Sequence, residues 1–392
     1  MGLVTNIKRR LQYEASDNSF SKFDSSIAKG MAILLMLFHH SFLGPQCYKG
    51  LTLSFVPLTE GQVIALGQAA RICVAIFVFI SAYGMTESYR RIDSHFRLTR
   101  GQWSSSVIRR ILIIESSYLL VFAIVHLLYA ISTSGASFAH AYGAGKSSLL
   151  FFLIDALGLA ELLGTPTILA PFWYISLAYL IVLLVPILIG VYRRWGCVVL
   201  LGLGVCLKVF FPATQAGHFA CFPDYAFCVC CGIVASNTGV IARFCRRTYA
   251  HGAWVNVLVH LGVVACVCIL VMCRQRTLKT PLLPIWDGLI ALAVMVLAKG
   301  LFGRLPGIRN VLVLLGGYAT DVFLFHDFFL HADQTKAIVY GSGVWWLAPL
   351  VLLAMSLAVA VVLGLAKRVT GYDRLWRWGI AKICARCGSD RP

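Results

Sequence analysis

Ten apolar stretches, near residues 27–43, 63–86, 111–131, 170–192, 196–213, 219–238, 253–273, 281–301, 310–330 and 344–366, alternate with short polar or charged connections along the chain. Each approaches the length that a helix needs to cross about 30 Å of hydrocarbon. The pattern predicts an all-α fold, a polytopic membrane helix bundle of about ten transmembrane helices. A polar segment over 1–26 precedes the membrane domain over 27–366, and a basic tail over 367–392 follows it. One further stretch, Ser148 to Gly164, is apolar but carries Asp155 and Glu161. Counting it as a span would turn the Arg193, Arg243 to Arg247 and Arg304 to Arg309 clusters to the opposite face, so it is expected on the outer side as an interfacial or re-entrant helix.

Charge sets the orientation. Of the 34 lysines and arginines, 25 fall in the N-terminal segment, alternate connections and the tail, and only 6 in the opposite set of loops. By the positive-inside rule both termini are expected in the cytoplasm. Composition agrees: 59% of residues are apolar, 13% are charged and mean hydropathy is +0.81, more hydrocarbon than a soluble domain of this length can hide. The net charge of +18 would indicate nucleic acid only as a basic patch on a soluble face. Here the cations sit in short clusters between apolar runs, so a lipid bilayer is the expected partner and no nucleic acid is. The expected setting is a cell membrane, a bacterial plasma membrane, crossed several times. The first 26 residues are polar, so the run from Ile27 to Leu43 reads as an anchor rather than a cleavable leader.

Most of the fourteen cysteines lie inside apolar runs, among them Cys197, Cys206, Cys228, Cys230, Cys231, Cys266 and Cys268, and read as packing residues. Cys384 and Cys387 form a CxxC without a second ligand pair nearby, so no metal site is expected. The chain has no internal repeat of the kind that builds transporters from duplicated halves.

Polar side chains inside the spans are the informative exceptions, because at that depth they usually face the bundle interior or a wet cavity. Lys29 and His40 stand eleven positions apart in the first run. Eleven residues make about three helical turns, which puts both on one face about 16 Å apart along the axis. The plainer reading is a snorkelling lysine and a histidine bonded to a neighbouring helix. His39 is turned about 100° from His40 and is the weaker candidate. His326 in the ninth span and Arg71 in the second reach the same outer half, each with a structural alternative: a core histidine bonded to a carbonyl, and a buried structural cation. Arg109 and Arg110 lead into the third span at the inner rim beside Lys29. Adjacent guanidinium groups suit phosphates, although ordinary inner-face anchoring explains such pairs as well. Together, a phosphate-rich carrier held by Lys29, Arg109 and Arg110 could extend a long arm toward His40.

These residues resemble the acyltransferase 3 family of integral membrane acyltransferases. FDSSIAKGMAILLMLFHHSF is similar to that family's first helix, in which an acidic residue, a basic residue and a histidine take the places of Asp24, Lys29 and His40. RICVAIFVFISAYGM, with Ser81 and Gly84, resembles its second helix; APFWYISLAYLIVLLVPIL, opening on Trp173, its fourth; and YATDVFLFHDFF the late helix with His326. Family members commonly separate two arginines of the third helix by two residues, whereas Arg109 and Arg110 are adjacent, with Ser106 and Val107 where an earlier partner would fall.

The resemblance implies transfer of an acyl group, typically acetyl from acetyl-CoA, to a hydroxyl of a glycan or related cell-surface molecule. A hydroxyl needs a base to take its proton in the transition state, and neutral imidazole is suited to that near neutral pH. His40 is therefore expected as general base or transient acyl acceptor, with His326 beside it. Arg71 is expected at the developing oxyanion, and Lys29, Arg109 and Arg110 at the CoA phosphates. Family members sometimes carry a hydrolase-like domain after the membrane part. This sequence ends about 25 residues past its last span, so the acceptor, a lipid-linked sugar or nascent polysaccharide, is expected to reach the membrane domain itself. A secondary transporter or flippase of a glycan or lipid precursor is the alternative, and a noncatalytic assembly subunit a third reading.

Overall fold

A computed structural model describes residues 19–132, 137–211, 221–278, 280 and 282–388. It is 83% helical, and its described residues contain no strand, only an isolated bridge between Ser54 and Val344. The helices are α1 (Lys22–Ser41), α2 (Glu60–Ala69), α3 (Cys73–Ile92), α4 (Arg100–Ser132), α5 (Ser137–Tyr142), α6 (Ser148–Ala156), α7 (Ala160–Leu163), α8 (Trp173–Phe210) and α9 (Cys221–Thr238). They continue as α10 (Val240–Ala250), α11 (Ala253–Arg276), α12 (Leu283–Gly300), α13 (Pro306–Gly317), α14 (Ala319–His331), α15 (Asp333–Tyr340), α16 (Ala348–Val369) and α17 (Tyr372–Gly388).

The all-α membrane bundle expected from the hydropathy pattern is the observed fold. Among the described residues six helices are long and apolar enough to cross a membrane, or up to eight if each of two bent pairs is one span. Three features separate this from ten. The predicted fourth and fifth spans are counted together as Ala170–Phe210, although two helices meet there at Gly196, whose φ of 81° lies where a side chain would be strained. The predicted ninth span is two helices, α13 and α14, bent by 75° at Tyr318, and α9 meets α10 at 58° across Gly239. Finally, α1 is too polar to count. It runs through the middle of the bundle, packed against α3, α12, α13, α14 and α16, so its polar face meets protein rather than lipid.

The α1 N-terminus is fixed by a capping box in which Ser21 Oγ accepts from the Asp24 N–H and Asp24 Oδ2 accepts from the Ser21 N–H. Asp24 also pairs with Lys299 of α12 at 3.5 Å. The acidic member of the first-helix pattern is thus structural. On its other side α1 lies against α13 at a distance only glycine allows: a Cβ on Gly30 would drive into the Leu312 carbonyl, and one on Gly316 into that of Ser26.

The stretch from Ser148 to Gly164 does not span. It folds as α6 and α7, tied down by Asp155, whose Oδ2 accepts from Tyr142 Oη at 2.7 Å and the Ile168 N–H at 2.9 Å. The basic tail packs along α4 as α17, where Tyr372 Oη donates to the Ser116 carbonyl at 2.6 Å and Ser105 meets Cys384. The expected topology of residues 1–18 and of Lys279 lies outside the described residues.

Candidate active site

Two chambers open off opposite ends of α1. The first, about 520 Å³, is lined by His39, His40, Gln68, Arg71, Phe77, Trp173, Tyr174, Arg274, Gln275 and Phe323, with smaller contributions from Met36, Leu43 and Val74. The second, about 830 Å³, is lined by Lys22, Ser26, Lys29, Ser81, Gly84, Arg110 and Gly316 among others. Lys29 and His40 therefore do share the face that their spacing implied, each at the wall of a different cavity. The chambers are divided by an aromatic floor. Phe77, Tyr174 and Phe323 touch one another, with ring centroids 6.4, 6.5 and 5.3 Å apart, and the next turns of α3 and α8, at Ser81 and Ala178, already belong to the Lys29 chamber.

In the His40 chamber the imidazoles are arranged in depth. His39 Nδ1–H donates to the Gly67 carbonyl at 2.7 Å, which leaves its other nitrogen as an acceptor. His40 is half-buried and faces the cavity. Behind it, fully enclosed, His326 lies with its ring centroid 4.7 Å from that of His40. Its Nδ1–H donates to the Phe323 carbonyl at 2.7 Å, and its Nε2 lone pair has no hydrogen-bond partner. Asp327, buried beside it and 3.3 Å from His331 Nδ1, completes a cluster in which donor atoms of His40, His326 and Asp327 all lie within 4.8 Å of one another. Two imidazoles and a carboxylate are a donor set of the kind that holds a divalent cation, where the sequence led to no expectation of a metal site.

Arg71, at the short 3-10 turn between α2 and α3, is exposed to the same cavity. The sequence reading did not single out Arg274. It sits in the last turn of α11, almost wholly buried, with Nε donating to Asp287 Oδ1 at 2.5 Å and Nη1 without a partner. A signal for it existed, since a cation on the sparsely charged outer side runs against the bias that explains the others.

The Lys29 chamber brings together only part of the predicted phosphate site. Lys29 lines it and has no carboxylate within ion-pair distance among the described residues. Arg110 lines it too, its guanidinium 5.5 Å from the Tyr89 ring centroid and its Nε unpartnered. Arg109 does not. One position along a helix is a turn of about 100°, which leaves Arg109 exposed on the outside of α4. Half-buried cations at the wall of a sizeable cavity, with no carboxylate within ion-pair distance among the described residues, are stabilised when an anion joins them.

The profile of an acyltransferase domain matches residues 24–365, from the α1 capping box to the end of α16. The chain belongs to the acyltransferase 3 family. No curated protein and no solved structure matches it. Membership in this family of acyltransferases makes the two-chamber bundle, from α1 into α16, the acyltransferase domain itself.

Proposed function

We propose that this acyltransferase moves an acyl group, acetyl in the first instance, from acyl-CoA at the Lys29 chamber to a hydroxyl of a cell-surface glycan or lipid-linked sugar in the His40 chamber. The observation that carries the reading is the pairing itself. A cation with no ion-pair partner among the described residues and an imidazole stand on one face of one helix, about 16 Å apart along it, each lining its own cavity. The fit of a polyphosphate donor rests on Lys29 and on the free Nε of Arg110. When bound, acetyl-CoA supplies an activated acyl group on a flexible arm. The charge pattern puts the Lys29 end at the cytoplasm, where acyl-CoA is available, and the His40 end outward, as in a multi-pass protein of a bacterial plasma membrane.

Each chamber residue then has a task. Lys29 and Arg110 hold phosphate and fix the donor's position. Phe77, Tyr174 and Phe323 shield the acyl-transfer chamber from the solvent-wetted phosphate side, and an arm passes only where they part. His40 takes the proton of the acceptor hydroxyl as its oxygen bonds to the acyl carbon, and the thiol leaves with a proton. His39 already gives its Nδ1–H to Gly67. His326, enclosed behind His40, is a positioning residue rather than a group that meets substrate, and the Asp327 carboxylate within 4.8 Å offsets the charge that His40 gains. Arg71 offers its guanidinium to the negative charge that develops on the acyl oxygen.

The test is purified protein in lipid nanodiscs with labelled acetyl-CoA. Acceptor-dependent label transfer or slow CoA release, lost in His40→Ala, is the expected result. Movement of glycan across vesicles with no CoA turnover and full activity of His40→Ala would replace the enzyme with a carrier.

A further inference from the structure

The His40 chamber carries a charge pattern that base catalysis does not need. Two guanidinium groups, Arg71 and Arg274, and two amides, Gln68 and Gln275, line it beside the imidazoles, and no carboxylate does. Arg274 comes from α11 and Arg71 from the α2–α3 junction, so two distant segments converge to make the wall positive. Arg274 is 2% exposed and aimed by its ion pair. Asp287 occupies Nε, which fixes the plane of the fork and leaves Nη1 buried without a partner. A buried N–H that donates to nothing is destabilising by the desolvation of a charged group. Arg274 is among the residues that line the cavity, and a guanidinium in such a wall is a charge-assisted donor to a carboxylate or a phosphate. Trp173 and Tyr174 add flat apolar faces to the same cavity, the surface against which a sugar ring packs.

We infer that the acceptor is an anionic glycan, one whose negative group is held at the Arg274 guanidinium in the cavity wall while a neighbouring hydroxyl faces His40. The inference rests on the acyl-transfer reading for its direction and names the acceptor class within it. Arg71 is occupied with the charge that develops on the acyl oxygen, so the anchoring of the resting acceptor falls to Arg274, with Gln275 next to it in the same wall. The anionic group has two chemical sources, a uronate carboxylate within the glycan or the diphosphate of a polyprenyl-linked sugar.

Binding measured without acyl transfer separates this inference from the catalytic one. Full-length protein in nanodiscs is titrated, without acetyl-CoA, with a glucuronate-containing hexasaccharide, with a short-chain polyprenyl-diphospho-N-acetylglucosamine, and with neutral maltohexaose. At least one anionic probe is expected to bind about tenfold or more tighter than maltohexaose, the size of one charge-assisted contact; which of the two does so identifies the source. Because removing Arg274 alone would strand the buried Asp287 charge, the variant is the neutral pair Arg274→Gln with Asp287→Asn, checked for an unchanged melting midpoint and unchanged CoA binding. It should bind all three probes within about twofold of one another. Equal binding of maltohexaose by the native protein, or an anionic preference that survives in the double variant, overturns the inference. An anionic preference in a protein that transfers no acetyl group would uphold it and dismiss only the acyl-transfer step.

Discussion

Replacing Lys29 by methionine separates a phosphate-binding cation from an anchoring one, because the chain offers a matched control in Arg109. Lys29 is half-buried at the wall of the larger chamber and has no carboxylate partner among the described residues, whereas Arg109 is exposed one position from Arg110. Removing a charge-assisted hydrogen bond to phosphate costs about 1.5–3 kcal/mol. At about 1.4 kcal/mol per decade this is a rise of roughly 10- to 150-fold in the dissociation constant for CoA. The chamber is not enclosed and Lys29 is only half-buried, which favours the lower end, about tenfold. Arg109→Met removes only a screened surface attraction and should change CoA affinity by less than about fivefold. Stability moves the other way: methionine fills similar space without an uncompensated buried charge, so the melting midpoint of Lys29→Met should be no lower than that of the native protein. Calorimetric titration of both variants with CoA, paired with thermal denaturation, reads the two effects separately. CoA affinity within about twofold of native in Lys29→Met, or an equal loss in Arg109→Met, refutes the assignment of the Lys29 chamber to the donor.

Further outcomes follow from the same geometry. His40→Ala should lower kcat by about 10²–10⁴ with CoA affinity unchanged. His326→Gln, acting through His40, should lower kcat less and shift the pH–rate profile, which a purely structural residue would not do. Phe77→Ala opens the floor between the chambers and should raise butyryl transfer relative to acetyl transfer by about tenfold or more, measured as a ratio of kcat/KM; an unchanged ratio removes the floor from substrate selection. Gly316→Ala, whose new methyl would strike the Ser26 carbonyl, should destabilise the bundle by about 1–3 kcal/mol in chemical denaturation. Burial pushes the Asp155 carboxyl above its ordinary range, with the bonds from Tyr142 and Ile168 opposing the shift. A carboxyl raised on folding lends stability that is complete below its unfolded value and falls as pH rises through the folded one. Asp155→Asn should therefore flatten the pH dependence of the melting midpoint on the alkaline side of that range.

The hydropathy pattern by itself determined that this is a helical membrane bundle, because twenty or so apolar residues in a row have few other stable fates. The α-helical repeat likewise fixed the shared face of Lys29 and His40, a matter of local geometry that no neighbour alters. The rejection of Ser148 to Gly164 as a span was also legible, since it rested on charges near in sequence. What the sequence could not decide depended on neighbours far along the chain. Whether α1 meets lipid or protein, and hence that Asp24 pairs with Lys299, was set by five surrounding helices. Arg109 and Arg110 carry the same charge at adjacent positions, and only the packing of α4 turned one toward a chamber and the other away. The 75° break at Tyr318 placed His326 behind His40 rather than beside the cavity. Arg274 and Arg71, about two hundred positions apart, line one cavity because α11 and the α2–α3 junction both pack on α12, an outcome of the whole set of helix contacts rather than of any local period.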